Sequence, residues 1–139
     1  MDATRIEEVT TDEGWDCAVP ILRELWSDVD EPFVRSWREE DDYRLFGRYE
    51  GGELVGVVGV STQRVLHHAR HAWIHDIVVT GSRRGEGHGA ALLSFVESWA
   101  RERDCEYVAL ANRLGNEGAL DFYEAEGLEP WGYVVETEL

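Results

Sequence analysis

The spacing of apolar residues changes several times along this chain, and each change marks an element. Weak alternation in "TRIEEVT" predicts a short opening strand. In "TDEGWDCAVPILRELWSD", Trp15, Val19, Leu22 and Trp26 recur at helical spacing behind an acidic start, which predicts a helix. Pro20 would have to sit early in that helix or bend it, so its start could lie as late as residues 18 or 19. A second short helix, "EPFVRSWREE", carries Pro32 near its first turn, where a missing N–H costs little. From Tyr43 the period shortens: "YRLFGRYE", the turn "GGE" and "LVGVVGVSTQRVLH" predict an antiparallel hairpin closed by glycines. "HARH" leads into "AWIHDIVV", apolar on both faces and therefore expected inside a sheet. After the glycine-rich "SRRGEGHGAALL", Leu92, Leu93, Val96 and Trp99 form one stripe on a helix reaching about Arg103. "CEYVALAN" predicts a buried strand, "NEGALDFYEAEGL" a helix stopped at Gly127, and "WGYVVETEL" a final strand. The order β-α-α-β-β-β-α-β-α-β is that of an α/β (α+β) protein with helices on a mixed sheet. With neither repeats nor a linker, 1–139 is expected to be a single domain.

Composition adds one unusual feature. Against 29 Asp and Glu stand 13 basic residues, all of them arginine, for a net charge of −16. Self-repulsion of that size is relieved by salt, so the surface resembles that of a halophile's protein. Nucleic-acid binding, which needs a basic face to release counterions, is not expected. No apolar run is long enough for a membrane span, and the first residues lack a basic, apolar leader, so a soluble, cytoplasmic protein is expected. Cys17 and Cys105 lie far apart with no CxxC partner, as reduced packing residues would.

The chemistry concentrates in the glycine loop. Strand, glycine loop and helix in that order build an anion site, because the free N–H groups of the helix start point outward and its dipole favours negative charge. Arg83 and Arg84 can add charge-assisted hydrogen bonds. A Walker-type loop needs a lysine, which this chain lacks. A dinucleotide fingerprint fits Gly85, Gly87 and Ala90 formally, but five residues separate Val79 from Gly85 and the later acidic residue is missing.

The remaining pattern, Arg84-x-x-Gly87-x-Gly89 after "HDIVV", resembles the acyl-CoA loop of the GNAT superfamily of N-acetyltransferases. "NEGALDFYEAEGLEP" resembles that family's later motif, with Asn116 opening a helix and Tyr123 seven residues on. The resemblance covers nearly the whole chain, weakly over the first 40 residues. It implies a mixed, mostly antiparallel central sheet of about six to seven strands with helices on both faces. It also implies transfer of an acetyl group from acetyl-CoA, as co-substrate, to a primary amine by direct attack in a ternary complex. The pyrophosphate would rest on the N–H groups of Gly85, Glu86, Gly87, His88, Gly89 and Ala90 with Arg84 beside it. The pantetheine would pair with Ile77, Val78 and Val79, and Asn116 would lie near the thioester. Glu86 and His88 depart from the commoner pattern, since a carboxylate in a phosphate loop is unfavourable unless it points to solvent.

Tyr123 is then the candidate acid for the leaving thiolate, because a phenol near pKa 10 is protonated at neutral pH. For the base, His75 and Asp76 are adjacent candidates, and strand period 2 sends them to opposite faces. An imidazole near pKa 6.5 is the better match to neutral pH, which favours His75. His67, His68, His71 and His75 invite a metal reading, but in a loop leading into a strand they need not converge, and no metal is expected. The acceptor, a small-molecule or peptide amine, would meet "WSDVDEPFVRSWREEDDY", where Asp28, Asp30, Glu31 and residues 39–42 could attract an amine and Trp26 and Trp37 pack on its carbon chain. The alternative is a non-catalytic acyl-CoA-binding or regulatory domain of the same fold. The final strand could extend the sheet across a homodimer. The charge pattern makes one prediction on its own: the thermal midpoint should rise between about 0.1 M and about 1 M KCl, as the Debye length contracts from about 10 Å to about 3 Å. A midpoint that falls or stays level would show that self-repulsion does not limit this protein.

Overall fold

The computed structural model describes residues 4–139, which fall into two compact units, Met1–Ala109 and Leu110–Leu139. The first unit contains β1 (Arg5–Glu8), α1 (Asp12–Leu25), α2 (Glu31–Arg35), β2 (Arg44–Glu50), β3 (Glu53–Val65), β4 (Ala69–Val79) and α3 (His88–Glu102). β5 (Tyr107–Leu110) ends at the boundary, and α4 (Glu117–Ala125) belongs to the second unit. The sheet runs in sequence order, β1 to β5, and the pairings of β1 with β2, β2 with β3 and β3 with β4 are antiparallel. Glu106 N–H donates to the Arg70 carbonyl at 2.7 Å where β5 meets β4. No described helix is long and apolar enough to cross a membrane.

The local reasons are legible in the residues. Gly51 and Gly52 both have positive φ (59° and 86°) between β2 and β3, the conformation a two-residue hairpin turn demands. On β2, alternation sends Leu45 into the cluster built by Trp15, Ala18, Val19 and Leu22 of α1. Its neighbour Phe46 packs instead on α3, with ring centroids 4.9 Å from Phe95 and 6.0 Å from Trp99. Helices thus cover both faces of the strands, and β3 is buried from Val55 to Ser61. Each large apolar side chain removed from water in these layers contributes about 1.5–3 kcal/mol.

Four expectations require correction. The helix of α1 starts at Asp12, capped by the Thr11 hydroxyl on Gly14 N–H, and Pro20 lies within it. Pro20 is exposed, so the carbonyl that loses its partner faces water and the helix continues. β4 begins at Ala69, earlier than "AWIHDIVV", because its ladder with β3 already runs from Val65 and Ala69. "CEYVALAN" yields only four strand residues, with Tyr107 54% exposed. The sheet has five strands, not six to seven, because residues 131–139 do not join it. Alternation states which residues suit a strand but supplies no partner, and Trp131, Tyr133, Val134 and Val135 remain exposed.

Candidate active site

Strict alternation along β4 would separate His75 from Asp76, but the ladder is irregular at this point. Gly59 of β3 stands opposite Asp76 and Val60 opposite Ile74, so His75 is the extra residue of a β-bulge. The consequence is that both side chains enter one cavity of about 270 Å³, walled by Leu22, Trp26, Val29, Phe33, Val34, Trp37 and Tyr43. Asp76 is held from two directions. Its Oδ1 accepts from the Trp26 indole N–H at 2.5 Å and its Oδ2 from the Tyr43 hydroxyl at 2.6 Å. A Cβ at Gly59 would collide with the Tyr43 hydroxyl and stand 2.7 Å from Asp76 Oδ2, so only glycine admits this pair.

The His75 imidazole lies 2.8 Å from the buried Ser61 hydroxyl through Nε2, and its ring stands 5.5 Å from that of Tyr43. Burial pushes its pKa below the ordinary 6.5, a shift that the neighbouring Asp76 carboxylate partly opposes. His75 is therefore neutral at pH 7. Tyr43 is driven well above its ordinary range, first by burial and then by the charge and hydrogen bond of Asp76, and remains a donor.

β4 leads directly into the glycine loop. Gly85 (φ 80°) and Gly87 (φ 88°) are left-handed, a conformation that costs any other residue about 1–2 kcal/mol. A Cβ at either position would meet open space, so conformation rather than crowding requires glycine here. Gly87 precedes α3 and no side chain caps it, which leaves first-turn N–H groups without helical partners. The two arginines divide. Arg84 Nε donates to the Val79 carbonyl at 3.1 Å, its guanidinium lies 3.7 Å from Glu24, and the side chain is 63% exposed. Arg83 turns away from that position and binds three carboxylates: Glu50, Glu53 at 3.0 Å and Glu86 at 3.0 Å.

That arrangement accounts for both departures from the loop's commoner pattern. Glu86 is a partner for Arg83 and for His88 (3.1 Å), and these hydrogen bonds hold its pKa below the usual value. His88 is buried. Its Nδ1 accepts from Arg48 Nε at 2.9 Å, which assigns the proton to Nε2 for donation to Glu86, since arginine only donates. In the second unit, Asn116 caps α4 by accepting from Ala119 N–H at 3.2 Å, while Tyr123 packs edge-on against Phe122 with centroids 5.3 Å apart. Burial raises the Tyr123 phenol above its ordinary value, so it is protonated at neutral pH.

Residues 10–128 match the acetyltransferase (GNAT) family over most of the chain. The chain belongs to that family. Among relatives of this GNAT protein, the uncharacterized N-acetyltransferase YhdJ of Bacillus subtilis is 28% identical over 138 residues, covering 96% of this chain and 94% of YhdJ. The aminoalkylphosphonate N-acetyltransferase of Salmonella typhimurium is 38% identical over 88 residues, 61% of this chain and 54% of that protein. In fold, the GNAT chain superposes on aminoglycoside N-acetyltransferase AAC(6')-Iy in complex with CoA with a TM-score of 0.88 at 17% identity, over 100% of this chain and 96% of that one.

The GNAT chain's histidines divide as well. The His67 and His68 rings meet at a tilt with centroids 4.3 Å apart in the turn before β4, with His71 at 5.4 Å from His68, whereas His75 is engaged with Ser61. Another group, Glu50, Glu86 and His88, places ligand atoms within 4.8 Å of one another, but the Arg83 guanidinium already binds both carboxylates there. Sequence reasoning missed Tyr43, Ser61 and Gly59, whose contacts lie in other strands. The interrupted run "VVGV" was the one local signal, because a glycine inside a buried strand marks a close approach. Gly59→Ala should therefore destabilise the protein by about 2–3 kcal/mol through overpacking and loss of the Tyr43–Asp76 bond. Urea unfolding measures it, and a change under about 0.5 kcal/mol, the ordinary range for uninvolved surface sites, would contradict the close packing.

Proposed function

We propose that this GNAT protein transfers an acetyl group from acetyl-CoA to a primary amine by direct attack in a ternary complex. The observation that supports the reading is that one strand joins two features: β4 presents His75 beside Asp76 in a cavity and then delivers the chain to an open glycine loop. A ligand with an anionic end on that loop and its reactive end along β4 meets the imidazole. The loop residues fit a pyrophosphate, since left-handed Gly85 and Gly87 leave open space before the helix and Arg84 keeps an exposed guanidinium. Ile77 to Val79 would offer backbone groups to the pantetheine, and Asn116 keeps its amide N–H groups beyond its capping bond.

In the reaction, His75 takes a proton from the acceptor's ammonium. The neutral nitrogen attacks the thioester carbonyl carbon, the C–N bond forms and the C–S bond breaks. Of the two protons the ammonium gives up, one ends on sulfur through Tyr123 and one leaves to solvent through His75. Asp76, with both oxygens engaged, positions Trp26 and Tyr43 and lends its charge to the site rather than serving as the base. One relative, the Salmonella typhimurium enzyme, acts by its name on an aminoalkylphosphonate, which agrees with a small-molecule amine acceptor here.

Two measurements test this. At a hundredfold excess over Kd, acetyl-CoA should stabilise the folded protein by about 2.7 kcal/mol. The thermal shift should be lost in Arg84→Ala and Gly87→Ala, each compared with its own ligand-free midpoint. No shift in folded protein would overturn the cofactor assignment. The pH profile of kcat/KM should be flat near neutrality and fall on an acid limb with apparent pKa below about 6.5, where His75 protonates. His75→Gln should abolish that limb along with most of the rate, and Tyr123→Phe should lose turnover while keeping the acetyl-CoA shift. An unchanged profile in His75→Gln would remove the imidazole from the mechanism, and a protein that binds acetyl-CoA without turnover of any amine would be a binding domain.

A further inference from the structure

The cavity beside His75 has a chemistry narrower than "amine". We propose that its acceptor is a small monoamine with an apolar aromatic body, an arylalkylamine, an inference that rests on the acetyltransferase reading. The walls are carbon. Trp26 and Tyr43 line the cavity as well, with their polar atoms already engaged by Asp76. Phe33 and Trp37 meet edge to face at 4.9 Å, and Phe33, although large and apolar, is 51% exposed. An apolar ligand that covers this ring gains the free energy of removing it from water.

Charge narrows the class further. Asp76 is the only carboxylate among the described lining residues. Two acidic residues of the connecting segment are committed elsewhere: Asp30 caps α2 by accepting from Phe33 N–H at 2.9 Å, and Glu31 pairs with Arg35 at 3.2 Å. One anion suits one ammonium, with aromatic faces adding cation–π attraction. No arginine lines the cavity among the described residues. A phosphonate-bearing amine would therefore bring its anion to Asp76 with no countercharge, and a polyhydroxylated aminoglycoside would bury hydroxyls against carbon. The volume of about 270 Å³ falls just under the range of about 300–1,000 Å³ that holds drug-sized ligands. A single ring on a short amine-bearing arm fits that space.

The test compares 2-phenylethylamine, 2-aminoethylphosphonate and kanamycin as acceptors for the full chain, following CoA release. The expected result is a kcat/KM for 2-phenylethylamine at least about tenfold above either competitor, and a KM for it raised about tenfold in Phe33→Ala and Trp37→Ala with the KM for acetyl-CoA unchanged. Equal or better use of the phosphonate or kanamycin would overturn the proposal. Should none of the three be acetylated, equilibrium binding decides. Saturable quenching of tryptophan fluorescence by 2-phenylethylamine, weakened in the half-exposed Phe33→Ala, supports the pocket's preference, and no quenching overturns it. The acetyl-CoA thermal shift is read on the same sample, so a failure of the cofactor reading is seen separately from a failure of this one.

Discussion

The carboxylate of Asp76 is the point on which the first unit's architecture depends. Its two oxygens accept from residues 50 positions upstream in Trp26 and 33 upstream in Tyr43, so one charged group ties the end of α1 and the approach to β2 onto the middle of β4. Hydrogen bonds to a charged group contribute about 1.5–3 kcal/mol each, and a carboxylate left half-paired here would carry a desolvation cost of similar size. The bulge at His75 and the missing side chain at Gly59 are the geometric conditions for that pair of bonds. Without the extra residue, Asp76 would lie on the opposite face from His75 and the cavity would keep only one of the two.

Arginine has a comparable role in the loop and elsewhere. The chain carries −16 and no lysine, and several of its cations are spent on fixed geometry rather than on the surface balance. Arg83 joins the hairpin carboxylates of Glu50 and Glu53 to Glu86 in the loop. Arg35 joins α2 to Asp16 of α1, and Arg38 joins the following turn to Asp12. A planar fork with five donors suits this work better than a single ammonium would. Glu86, a carboxylate within the glycine loop, is thereby a counterion to Arg83.

How much of this was legible follows from the range of the interactions. Elements with their own caps and turns were readable: the Gly51–Gly52 hairpin, α3 after Gly87, and α4 between Asn116 and Gly127, because each signal lies within a few residues of its effect. The pairing of His75 with Asp76 in one cavity was not, because a bulge is a property of two strands and residue alternation sees only one. Pro20 within α1 follows a related rule. Its tolerance depends on which face of α1 meets water, which tertiary packing decides. The last segment shows the converse, since Tyr133, Val134 and Val135 have the composition of a strand without the neighbour that would make one.

One further relation ties these features together. Glu24 and Trp26 lie two residues apart at the end of α1. Glu24 holds the Thr80 hydroxyl at 2.7 Å and Gly81 N–H at 2.9 Å, at the threshold of the glycine loop, while Trp26 holds Asp76 in the cavity. The last turn of this helix therefore grips both ends of the segment 76–81. Sliding α1 along its axis would strain both sets of bonds together, so the end of this one helix couples the position of the cavity floor to that of the loop threshold.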